Sequence, residues 1–187
     1  SLTIIDTAEV PPVVSEEGLV AHWKLDEGSG GTAIDSVGTN DGTIHGNPTW
    51  TVGRMDGALN LDGTGDYISA AASEPLKGSN VTVSAWVRIT GLTGIWNPVL
   101  TQHYPNNDGY YFYIYDDKPA FSVMVGGGDI AASSPDGIAW NEWHHLAGTN
   151  DGATIRIYVD GDMKASRSSS GSTGADYDLY LGHAYVS

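Results

Sequence analysis

Most of the residues here that could do acid–base or metal chemistry are carboxylates. The chain carries 17 Asp and 6 Glu. Glycan hydrolysis needs two carboxylates facing one bond, about 5–5.5 Å or about 6.5–9.5 Å apart according to stereochemistry. On a strand, such a pair reads as acids two or four residues apart on one face. Neither Glu142, beside Trp143, nor Glu27, after Asp26, has a partner at that spacing, and no Glu-x-Asp-x-x-Glu run occurs. A Gly-x-Ser-x-Gly elbow and a His-Glu-x-x-His pair are also missing, and with no cysteine there is no thiol nucleophile or thiolate metal site. The expectation is a protein that does not catalyse.

Carboxylates in turns can instead hold calcium, a hard cation that takes six to eight oxygens. Asp26 with Asp35, Asp62 with Asp66, and Asn106-Asn107-Asp108 are the groups that could supply them. The other chemistry available is stacking. Pyranose rings pack C–H faces on Trp and Tyr planes, which are rigid and lose little entropy on contact. Trp86, Arg88, Tyr111, Tyr113 and Tyr158 fall on outer strand faces, and Trp96, His103, Tyr104, Asn106 and Asn107 fall in or near loops of one rim. Trp23 and Trp143 are assigned to the core.

Short strands and tight turns must position these groups. Val81 to Ile89 alternates, with Val81, Val83, Ala85, Val87 and Ile89 on one side and Ser84, Trp86 and Arg88 on the other. Ala153 to Val159 does the same, with Ile155, Ile157 and Val159 inward. Tyr110 to Tyr115 places Phe112 and Ile114 inward and Tyr111, Tyr113 and Tyr115 outward; Phe121 to Val125 returns beside it as a hairpin. Seven Asp are followed by Gly (Asp41, Asp56, Asp62, Asp108, Asp136, Asp151 and Asp160), a pair that suits tight turns. No stretch has a helical period. The fold class expected is all-β, a two-sheet antiparallel β-sandwich of jelly-roll type.

Charge removes other functions. Eight basic against 23 acidic residues give a net charge of −15, which repels nucleic acid and anionic membranes. No apolar run has the length of a membrane span. Residues 1–18, with Leu2-Thr3-Ile4-Ile5 and then Pro11-Pro12, read as a linker or the end of a preceding module, and 19–187 as the folded domain.

Several segments, in order, resemble a known family. They are Gly18-Leu-Val-Ala-His-Trp-Lys-Leu-Asp-Glu-Gly-Ser-Gly30, Asp35-Ser36, Asn40-Asp41-Gly42-Thr43, Gly57-Ala58-Leu59-Asn60-Leu61-Asp62-Gly63, Asp66-Tyr67-Ile68 and Val83-Ser84-Ala85-Trp86-Val87. Trp143-His144-His145-Leu146-Ala147-Gly148 and Ile157-Tyr158-Val159-Asp160-Gly161 complete the set. Together they are similar to the laminin-G-like jelly rolls of the concanavalin A-like lectin/glucanase group, relatives of the pentraxins, over about residues 18–183. The resemblance implies a β-sandwich, a structural place for His144-His145, and calcium in rim loops. It also implies a last strand beyond Leu179-Tyr-Leu-Gly-His183, so the sandwich is expected to lack that strand, with its place left to a longer parent chain or to Leu2–Ile5.

The functional expectation is a non-catalytic carbohydrate-binding or adhesion module of a larger bacterial extracellular protein, secreted or at the cell surface. Its partners would be a polysaccharide and other modules of the parent chain, and calcium its structural ion. The alternatives are a structural or protein–protein spacer and, third, a glycoside hydrolase or polysaccharide lyase whose acids meet from distant strands.

Overall fold

The computed structural model describes residues 18–78, 80–92, 94–103, 109–170 and 176–183. Fourteen strands account for most of them. The first seven are β1 (Thr32–Ala33), β2 (Gly42–His45), β3 (Thr49–Val52), β4 (Gly57–Asn60), β5 (Tyr67–Ala70), β6 (Val81–Arg88) and β7 (Trp96–His103). The others are β8 (Gly109–Tyr115), β9 (Lys118–Val125), β10 (Gly128–Ser133), β11 (Trp143–Asn150), β12 (Thr154–Val159), β13 (Asp162–Ser168) and β14 (Leu179–Leu181). A single 3-10 turn, Glu74–Leu76, precedes β6.

Two antiparallel sheets form the sandwich. The larger has eight strands in the order β1-β2-β5-β14-β7-β8-β9-β10, and the smaller has four in the order β13-β12-β11-β6; β3 and β4 make a separate hairpin. The all-β reading is therefore met, and the alternating runs take the faces their period dictates. Phe112, Phe121, Leu146, Ile155 and Ile157 are fully buried between the sheets. Phe112 and Phe121 meet edge to face, with centroids 6.1 Å apart, a geometry that suits the ring quadrupoles.

The sheets approach closely at Gly148. A Cβ built there would run into the Phe121 ring, so no larger residue fits without moving that ring. Hairpins then set the register. Asp160-Gly161 joins β12 to β13 with both residues at positive φ, 51° and 87°, the I′ geometry that matches strand twist. Asp116-Asp117, at 48° and 66°, turns β8 into β9 in the same way without any glycine. Not every Asp-Gly pair is a turn: Gly42 begins β2, where a Cβ would collide with Ile68.

The segment from Gly18 forms no extended strand. It contributes only an isolated bridge, Trp23 to Asp35, and Leu25 adopts a positive φ of 57°. Among the described residues, β6 therefore pairs with β11 alone in the smaller sheet. Leu2–Ile5 lies outside the described residues.

Overpacking a tight core contact costs about 1–3 kcal/mol. Gly148→Ala is therefore expected to lower the melting temperature by several degrees, read by circular dichroism; an unchanged melt would mean that the sheets do not approach through this residue.

Candidate functional site

Two rim turns that looked suited to a cation are held together by hydrogen bonds. Asp35 is buried, and its carboxylate accepts from His22 N (2.9 Å), Val37 N (3.1 Å), Asn40 N (3.0 Å) and Asn40 Nδ2 (2.9 Å). Burial pushes its pKa up, but the donors from His22, Gly38 and Asn40 outweigh it and hold the carboxyl well below the usual range. Asp66, also buried, accepts from Asn47 N (2.7 Å) and Asp62 N (3.2 Å), while Asp62 accepts from Thr64 N at 2.7 Å.

The carboxylates of Asp35 and Asp66 thus each hold N–H donors from separate parts of their loops. Among the described residues, no three His, Asp or Glu side chains cluster as a metal site would require. Asp26 lines a cleft beside β6 together with Asp62, and neither adds such a cluster. Asn106 and its neighbours lie outside the described residues.

The aromatic candidates divide between two outer faces, because β6 and β12 belong to one sheet while β7 and β8 belong to the other. On the smaller sheet, Trp86 is half-buried between the Arg54 guanidinium, 5.1 Å from its ring centroid, and His145, 5.4 Å away. Arg88 is exposed and lies 5.0 Å over Trp143, its cross-strand partner. Trp143 is thus on an outer face and not in the core. Tyr158 is half-buried on the same side, opposite Ala147. His144 Nδ1 meets Asp160 Oδ2 at 2.7 Å beside the β12–β13 turn, the structural place that the resemblance implied.

On the larger sheet the rings meet. Trp96 stacks on Tyr113, with centroids 4.0 Å apart and planes inclined 16°, and Tyr113 stacks on Tyr111 at 5.2 Å. Tyr115 stands edge-on to Trp96 at 6.3 Å. Tyr111 and Tyr113 do point away from the core, yet they are buried, at 4% and 5% exposure, because Trp96 and Met124 cover them. The planes open to solvent are those of Trp96 (39%) and Tyr115 (46%).

Beneath them the tyrosine hydroxyls are held in place. The Tyr111 hydroxyl bonds with Ser122 and Asp129, and burial followed by the Asp129 charge pushes its pKa up. Tyr113, bonded to Ser133, is pushed up to about 12, chiefly by burial. Ser122 Oγ donates to Asp129 Oδ1. His103 ends β7 opposite Gly109.

Sequence reasoning put Tyr115 on the right face without making it a site residue, and it gave no role to Arg54, Asp129 or Ser122. A second ring stack also went unnoticed: Tyr67 lies between His45 (4.3 Å) and His183 (4.6 Å), with Ser69 Oγ 2.8 Å from His45 Nε2. It joins β2, β5 and the end of β14, and no local pattern signals that meeting.

The comparisons with known proteins agree with this architecture. A family model described as the concanavalin A-like lectin/glucanases superfamily matches residues 62–187, and the chain belongs to that superfamily. Among solved structures, it is similar to domain 4 of AbnA, a GH43 extracellular arabinanase from Geobacillus stearothermophilus solved with arabinotriose. The TM-score is 0.75 and the identity 21%, over 90% of this chain and 84% of that one. It is also similar to the botulinum neurotoxin serotype D binding domain, with a TM-score of 0.65 and 14% identity, over 83% of this chain and 42% of that one. No curated protein sequence matches it. Among the described residues, no helix is long and apolar enough to cross a membrane.

Asp35 gives this rim a pH signature. Its carboxyl is depressed in the folded state, so its contribution is complete above the unfolded value of about 3.9 and is lost as pH falls below it. Asp35→Ala is expected to cost about 3 kcal/mol by stranding buried donors. In denaturant melts between pH 5 and pH 2, Asp35→Asn should flatten the acid loss; a profile parallel to wild type would contradict the assignment.

Proposed function

We propose that this domain is a non-catalytic carbohydrate-binding module of a larger extracellular or surface-attached protein. The observation that carries the reading is the ring stack on the outer face of the eight-stranded sheet. Tyr111 and Tyr113 form a buried base, and the base holds the Trp96 plane open to solvent at an angle to Tyr115. A rigid, exposed indole plane costs little entropy to use and offers a surface that a sugar C–H face can cover.

Charge narrows the ligand. A net −15 disfavours acidic polysaccharides, so the partner is a neutral glycan. The neighbour solved with arabinotriose and the superfamily membership support a carbohydrate partner and an extracellular setting. The absence from the sequence of a paired-acid strand supports a binding role over catalysis.

The roles within the stack differ. Tyr111 and Tyr113 support the platform, and their removal is expected to destabilise the domain. Trp96 is the contact residue. Affinity electrophoresis through gels containing neutral polysaccharides, arabinan among them, should retard the protein in at least one. Trp96→Ala should weaken that retention by about tenfold or more, or about 1.4 kcal/mol, in protein that a melting curve shows to be folded at the assay temperature. Retention that survives the substitution, or no retention in any gel, would overturn the proposal.

Calcium enters the same assay as a variable. Because N–H donors occupy Asp35 and Asp66, retention is expected to be equal with added calcium and with chelator. A calcium requirement would place the ion on other oxygens.

A further inference from the structure

The ring platform on the larger sheet has a polar end as well as an apolar one. A two-residue turn at Gly126-Gly127, both at positive φ (58° and 78°), joins β9 to β10 and sets their register. That register puts Asp129 opposite Met124, with Ser122 its diagonal neighbour on the same face. Ile130 and Ala132 pack on the main core, so Asp129, Ala131 and Ser133 alternate to the outside.

The two buried tyrosines reach this strand. The Tyr111 hydroxyl bonds with Ser122 and Asp129, and the Tyr113 hydroxyl with Ser133. Ser122 Oγ donates to Asp129 Oδ1. At its other end the Tyr111 ring lies 5.5 Å from Trp96, centroid to centroid. A single tyrosine therefore spans from the exposed indole to the carboxylate.

Asp129 is exposed even though two hydroxyls hold it, and the groups that hold it are buried. An ionised carboxylate has about four lone-pair sites, so Ser122 and Tyr111 leave it capacity for about two more donors. An acceptor already held in position loses little entropy when a ligand's hydroxyl arrives. Ala131, between Asp129 and Ser133 on the same face, places only a methyl group beside it.

We propose that Asp129 is a contact residue of the binding surface, accepting hydrogen bonds from the hydroxyls of the sugar next to the one stacked on Trp96. The inference rests on the carbohydrate reading of the platform and narrows its ligand. That ligand is a neutral oligosaccharide of at least two units, with free hydroxyls on the unit beside the stacked one. Hydroxyls that donate to a carboxylate make short, charge-assisted bonds. A sugar carboxylate in the same place would meet a like charge and be rejected.

Tryptophan fluorescence titrations test this, using the one- to four-unit oligosaccharides of the neutral polysaccharide whose gel retards the wild-type chain. Affinity should rise by about tenfold or more from one unit to two or three. Asp129→Asn removes the charge and keeps an oxygen that can accept from Ser122 and Tyr111. It should erase most of that rise and leave the affinity for a single sugar within about twofold of wild type, whereas Trp96→Ala should weaken every length. An Asp129→Asn effect equal at all lengths, or no effect, would overturn this proposal and leave the Trp96 platform standing. If no gel retards the wild-type chain, the carbohydrate reading itself fails and takes this inference with it.

A second measurement serves if Asp129→Asn does not fold. In nuclear magnetic resonance spectra of the wild-type chain, the Asp129 carboxyl carbon should shift with the three-unit oligosaccharide along the same saturation curve as the Trp96 indole. A carboxyl signal that stays still while the indole signal saturates would overturn the proposal.

Discussion

The structure depends on one strand that is buried on both faces. β8 sends Tyr110, Phe112 and Ile114 between the sheets and Tyr111 and Tyr113 to the outside, and all five are buried. Its period-two alternation does not separate core from solvent, as on a half-exposed strand. It separates one packed environment from another. The inner side anchors the two sheets through Phe112, Phe121 and the close approach at Gly148, and the outer side carries the platform of rings. A displacement of β8 would therefore disturb stability and the candidate binding surface together.

The carboxylates show how a strongly acidic chain uses its charge. Asp35 gathers donors from residues two to thirteen positions away, and Asp66 ties Asn47 to Asp62. Each does locally what a bound cation would otherwise do, drawing separate loop strands to one point through N–H dipoles. Both carboxylates are buried and tie their loops together. More exposed acids do the same work, Asp160 accepting from His145 N, Asp178 from Ala72 N and Asp151 from Ala153 N and Thr154 N.

Much of the architecture was legible because β-structure writes a short-range signature. The alternation in β6, β8 and β12 and the Asp160-Gly161 turn gave the strands and their faces correctly. The assembly of those faces was less legible. Whether Trp86 and Tyr113 share a surface depends on strand order across two sheets. The burial of Tyr111 and Tyr113 depends on Trp96, which arrives from β7 through a register shift at Pro98/Leu100 that no spacing reveals. Trp143 was misplaced for a related reason: its face is set by pairing with Arg88, 55 positions earlier in the chain. The fate of Asp35 was hidden as well, since an Asp that binds backbone N–H groups and one that binds calcium look alike in a turn.

What the account most needs is a direct view of the Trp96 indole as a sugar arrives. In a nuclear magnetic resonance titration with a series of neutral oligosaccharides, at least one ligand should shift the Trp96 Nε1–H and the Tyr115 ring signals along a saturable curve, while the core signals of Phe112 and Leu146 stay still. If the bound sugar moves signals elsewhere and leaves those two rings unchanged, the platform is not the binding surface and the account fails.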